Sequence, residues 1–254
     1  MNLRLLVLPA PDWLDSASSQ RVARVALTAF VGLALYGFTV GYWRAPIMGA
    51  YVAVKLPLLI FITLACNGLL NGLIGLLLGS GLEFRQSLLA LLTAFALAAV
   101  ILGSLAPITL FLAWNAPAPN SPNAANAHAA YLISHTVLIG FAGITANVHL
   151  HRLLAVKAPT AATATATLLA WVGGNGFLGA QFSWILRPFF GTPSLKIQFL
   201  RDDPLKGNFY ESVWMAADRL TGGFALPALV FLILILGIPI FHAIRQNHQN
   251  TALK

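Results

Sequence analysis

Charge is what this sequence lacks. Only 9% of its 254 residues are Asp, Glu, Lys or Arg, where a soluble globular domain carries about a quarter, and 58% are hydrophobic. That balance excludes an ordinary soluble domain and specifies a membrane protein. Six helices of about 20 residues would put about half the chain in the bilayer, leaving no room for a separate soluble enzyme domain. Acidic residues are scarcest of all, and Asp12, Asp15, Glu83, Asp202, Asp203, Glu211 and Asp218 all fall in termini or loops. A proton pump or ion-coupled carrier built on buried carboxylates is therefore disfavoured. The single cysteine, Cys66, sits in an apolar segment and rules out an intrachain disulfide and a thiolate metal cluster. The net charge of +8 is spread along the chain without a basic run. This argues against nucleic acid as a partner and for membrane lipids, whose anionic headgroups supply the counterions. No G-x-x-x-x-G-K-[ST] loop, H-E-x-x-H site or G-x-S-x-G elbow occurs. The sequence thus points to no catalytic residue, no metal ligand set and no cofactor.

What is present is long apolar runs. The first expected span, 22–43, opens behind Arg21 and Arg24 and closes on Tyr42 and Trp43, an interfacial pattern. The N-terminal segment 1–21 has only a short apolar run broken by Pro9 and Pro11, too weak for the core of a signal peptide, so the first span is expected to remain as an anchor. The run from Ile47 to Gly79 would be about 50 Å long as one helix, against a hydrocarbon core of about 30 Å. Pro57 is the natural break, giving an interfacial connector over 44–55, Lys55 at the membrane boundary and a second span at 56–78. Further spans are expected at 88–114 (with Pro107 inside), 130–150, 160–186 and 222–243, followed by a tail at 245–254. The fold class is all-α: a polytopic bundle of about six spans in a single integral domain, 22–244, with an outer loop at 187–221. Basic residues in short segments gather on the side of the termini, so the positive-inside rule places both termini in the cytoplasm.

The outer loop is the long polar interruption of the C-terminal half. Its sequence from Asn208 reads as a helix start, with Glu211 three residues beyond a capping asparagine. At 100° per residue Phe209, Tyr210, Val213, Trp214, Ala217 and Leu220 share one arc, opposite Glu211, Asp218 and Arg219. An amphipathic helix lying in the membrane interface before the last span is expected. Arg187, beside Pro188 and two phenylalanines, is expected to emerge at headgroup level. Arg187, Phe209, Tyr210 and Trp214 are thus the interface candidates. "LKIQFL" alternates in the manner of an extended segment.

"QFSWILRPFFGTP", followed by "GNFYESV", resembles a motif of an uncharacterised family of bacterial multi-pass membrane proteins. "VKLPLLIFITLACNGLLNGLIG" and "ILGSLAPITLFL" are similar to the same family, the likeness running from Val54 to Val213. The resemblance implies a bacterial inner-membrane protein and carries no assigned reaction, cofactor, partner or catalytic residue.

Polar residues inside the spans are the remaining candidates. His128, His135 and His149 lie along one stripe of a helix, but His128 and His149 would be about 31 Å apart and cannot share a metal. His135 lies deep enough to face protein or a water-filled path. Asn67 and Asn71 stand one turn apart among Gly68, Gly72, Gly75 and Gly79, and Asn175 and Gln181 sit in "GGNGFLGAQFSW". Small residues let helices approach, and amides bond across such contacts; glycine this dense also suits a discontinuous helix whose backbone binds a solute or ion. Two function classes follow. The first is a non-enzymatic scaffold or accessory subunit, binding a protein partner or a second copy through the outer loop. The second is a channel or small-solute transporter with its path at Asn67, Asn71, His135, Asn175 and Gln181, between spans two and five.

Overall fold

The computed structural model of the protein describes residues 13–15 and 18–221. Among them every regular element is an α-helix: α1 Ser19–Tyr42, α2 Pro46–Leu77, α3 Phe84–Asn115, α4 Ala124–Lys157, α5 Ala161–Ile185 and α6 Phe209–Thr221. Four of these, α1 to α4, are long and apolar enough to cross a membrane, so the coarse reading of a helical membrane bundle rests on helix length and composition. α5 has 25 residues, yet its Thr/Ala-rich start and Gly/Asn/Gln-rich middle keep it out of that group. The expected span at 222–243, the tail at 245–254 and residues 1–12 of the N-terminal segment lie outside the described residues.

The largest departure from expectation is α2. Its 32 residues run without a break through Pro57, so there is no separate connector at 44–55. An interior proline removes one backbone hydrogen bond and crowds the preceding turn, but neighbouring helices in a membrane bundle tolerate it. The helix begins with Pro46 in its first turn, where a missing N–H costs nothing. At 1.5 Å per residue α2 is about 48 Å long, well beyond a core of about 30 Å. Lys55 consequently lies within a helix and is fully buried, instead of marking a boundary. Pro107 likewise lies inside α3, which continues to Asn115.

In the unit formed by 1–204, α1 packs on α2 and α3, α3 on α4, and α5 on α2 and α4. The α1 contacts are backbone to backbone. A Cβ at Gly32 would stand 2.3 Å from the Ala99 carbonyl oxygen, and one at Gly41 would stand 2.4 Å from that of Met48; only glycine permits either approach. The core then fills from α1 (Val25, Leu33, Tyr36, Val40), α2 (Met48, Val52) and α3 (Leu89, Leu92, Leu102). α4 turns Ile133, Val137, Phe141 and Ile144 outward, an apolar stripe at helical spacing suited to lipid. At the end where α1 and α3 begin, Asp15 pairs with Lys157 and accepts from Gln86 Nε2 at 3.2 Å, while Trp13 Nε1 donates to Thr93 Oγ1 at 3.3 Å.

The second unit, 205–254, contains α6. Asn208 Oδ1 accepts from the Glu211 backbone N–H at 2.7 Å and Asn208 Nδ2 donates to Glu211 Oε2 at 3.3 Å, the cap that the spacing predicts. Tyr210, Val213, Trp214 and Met215 are exposed, and the Phe209 and Tyr210 rings meet edge to face at 5.5 Å. The 195–200 segment is irregular and forms no strand.

Candidate functional site

The start of α2 holds the loop that follows α5. Lys55 Nζ donates to the Pro188 carbonyl oxygen at 2.7 Å, with the rings of Phe199 and Phe189 at 5.0 and 5.8 Å from the ammonium. Among the described residues no carboxylate is bonded to it; a carbonyl dipole and two aromatic faces stand in for a counter-ion. One turn nearer the helix start, Tyr51 meets Phe199 edge to face at 5.4 Å, and Arg44, two residues before the helix begins, donates through Nη2 to the carbonyls of Pro193 and Leu195, each at 3.2 Å. Between these anchors Gly191 takes a positive φ of 66° and passes close to the Arg44 stem, 3.1 Å from a Cβ that any other residue would carry. The start of α2, with Arg44 just before it, is thus the platform on which the 188–199 loop is fastened. Arg187, expected at headgroup level, is half-buried and folds back over the Trp184 ring, 3.7 Å from its centroid.

A second polar cluster joins α1, α3 and α4. The Tyr36 hydroxyl and His135 Nδ1 are 2.7 Å apart, the Tyr131 hydroxyl donates to the Thr39 carbonyl oxygen, and the Thr39 and Thr109 hydroxyls are bonded at 2.8 Å. His135 is buried, with the Tyr131 and Phe190 rings at 4.4 and 5.6 Å. Phe190 belongs to the same loop that Lys55 fastens, so the loop closes over this cluster. Among the described residues His135 Nε2 has no hydrogen-bond partner.

The third cluster is made of amides. Asn175 Oδ1 accepts from Asn67 Nδ2 at 3.1 Å and from Asn71 Nδ2 at 3.2 Å, and Trp171 Nε1 donates to the Asn71 carbonyl oxygen at 2.7 Å. Gly174 makes the contact close: a Cβ there would lie 2.9 Å from Asn67 Nδ2. α5 passes through "GGNGFLG" as continuous helix, so the discontinuous helix that the glycines suggested does not occur.

The five pathway candidates do not gather in one cluster. Asn67, Asn71 and Asn175 meet. His135 bonds to Tyr36, whose neighbour Gly37 packs on Val52; Asn67 is fifteen residues further on, about 22 Å along α2. Gln181, six residues beyond Asn175 on α5, is half-buried. His128 stacks near Trp43 at 5.7 Å and His151 bonds Thr165 at 3.1 Å. Among the described residues no group of three or more His, Cys, Asp or Glu side chains is placed to hold a metal.

Sequence reasoning missed Arg44, Lys55, Tyr36, Tyr131 and Thr39 as site residues. Lys55 carried the one legible signal, a lone cation within an apolar run; its partner is 133 residues away. The segments "VKLPLLIF" and "ILRPFFGTP" are joined by the Lys55–Pro188 bond. No family model, no curated protein and no solved structure matches the chain.

Proposed function

We propose that this chain is a non-enzymatic membrane scaffold or accessory subunit of a bacterial inner membrane, with about six spans and cytoplasmic termini. In this reading α5 and 222–243 are the fifth and sixth spans. The observation that carries the proposal is the bonding of Asn67, Asn71 and Asn175 to one another across a close, continuous helix pair. Amides so engaged hold two helices together and leave few groups for handling a solute. The outer loop is the recognition surface: it rests on Lys55 of α2 and on Arg44 just before that helix, and Leu195 and Ile197 are exposed along it. In this proposal α6 lies in the membrane interface with Phe209, Tyr210 and Trp214 toward lipid or partner. The resemblance to uncharacterised bacterial multi-pass proteins agrees with the class.

One observation favours the second reading, a channel or small-solute transporter: Asn71 Oδ1 is buried and has no partner among the described residues. Affinity purification from native membranes in mild detergent, followed by mass spectrometry, separates the two. A stoichiometric protein partner, lost on substitution of the 195–199 loop residues, supports the scaffold. A lone protein or homo-oligomer that conducts a solute in liposomes, with flux lost in Asn71→Ala, supports transport.

A further inference from the structure

Between α1, α2 and α3 runs an apolar groove of about 750 Å³, within the range of about 300–1,000 Å³ typical of small-molecule sites. Phe61, Leu64, Leu88 and Leu92 form its walls, and Ser19 and Arg85 stand at one end of it. Arg85 and Leu92 are seven residues apart on α3, so the groove is about 10 Å long, against about 15 Å for one leaflet of the hydrocarbon core. The cationic end falls in the first turns of α1 and α3, where the chain leaves the apolar region, and the apolar end runs toward the bilayer interior.

Arg85 is exposed and, among the described residues, makes no hydrogen bond or ion pair. The nearby acids are engaged elsewhere: Glu83 caps α3 and Asp15 is held by Lys157 and Gln86. A guanidinium without a partner among the described residues, at the head of an acyl-sized groove, is complementary to an anionic headgroup on an apolar tail. We propose that the groove binds one acyl chain of an anionic phospholipid, whose phosphate is held by Arg85 and Ser19.

The test is photo-crosslinking of the full chain in nanodiscs containing equal phosphatidylglycerol and phosphatidylcholine. Ala65, an exposed groove residue, is replaced by a diazirine-bearing amino acid, and mass spectrometry identifies the adduct. Phosphatidylglycerol adducts are expected to exceed phosphatidylcholine adducts by about fivefold, the preference that one basic side chain confers at an anionic surface. Arg85→Gln is expected to bring the ratio near one and Arg85→Lys to keep most of it. A ratio near one in the unmodified Arg85 background overturns the proposal. So does preferential capture of oleate added at equal concentration, which would make a free fatty acid the ligand. An adduct to the chain's own 222–243 segment, or no adduct, overturns it as well.

Discussion

Lys55 and Pro188 are 133 residues apart in the chain and 2.7 Å apart in space, the lysine ammonium donating to the proline carbonyl. The bond joins α2 to the loop beyond α5, and it uses a cation that has no carboxylate partner among the described residues. Removing the cation leaves the Pro188 carbonyl without its donor, at a cost of about 1–3 kcal/mol. Lys55→Met, which keeps the apolar stem, is expected to raise hydrogen exchange across 189–199 by about tenfold while the helices stay protected. Unchanged exchange in the loop would show that Arg44 and Tyr51 suffice to hold it.

His135 Nδ1 and the Tyr36 hydroxyl form a buried hydrogen-bonded pair. Either His135→Phe or Tyr36→Phe strands one polar group, so each alone is expected to destabilise by about 1–3 kcal/mol, whereas the double variant should cost less than the sum. Thermal unfolding in detergent across the four proteins reads this directly. Strict additivity would mean that the 2.7 Å contact contributes nothing to stability.

Asn175 offers one oxygen to two donors on α2. Interhelical hydrogen bonds in membranes contribute about 0.6 kcal/mol each on average. Asn175→Ala is therefore expected to lower stability by about 1 kcal/mol, seen as a shift of the unfolding midpoint. A variant with unaltered stability but altered solute flux would instead favour the transport reading.

The glycines divide by what surrounds them. Gly32→Ala places a methyl 2.3 Å from the Ala99 carbonyl oxygen and is expected to cost about 1–3 kcal/mol through overpacking. Gly140→Ala meets nothing within 4 Å and is expected to be neutral or to stabilise by up to about 1 kcal/mol, since alanine is the better helix former. Equal unfolding midpoints for the two variants would contradict the α1–α3 contact.

If α6 lies in the interface, Trp214→Glu should release it, because a carboxylate on the apolar face opposes insertion among headgroups. Protease cleavage in 200–221 is expected to rise several-fold in reconstituted vesicles. Cleavage equal to that of the parent protein would place α6 elsewhere.

Helix identity was legible in the sequence wherever an apolar run was long and bounded by polar or turn residues. The reading of 88–114 corresponds to α3 at Phe84–Asn115, 160–186 to α5 at Ala161–Ile185, and the Asn208/Glu211 spacing marked the start of α6. Runs and caps are local, and local chemistry decides them. Pro57 misled because proline's intrinsic cost is also local, whereas its tolerance depends on the helices around it. Gly68, Gly72 and Gly75 beside Asn67 and Asn71 were a legible contact signal, but which helix the asparagines face was not. Tertiary structure alone decided that Lys55 reaches Pro188, that His135 belongs with Tyr36 and not with the asparagines, and that Asn175 meets Asn67 and Asn71. In a chain so poor in charge, a polar side chain within the bundle must find a partner there, so the sequence determined that such pairs would form. Which groups pair depends on how whole helices pack, and that is settled only when close backbone contacts such as Gly32 on Ala99 set the distances between them.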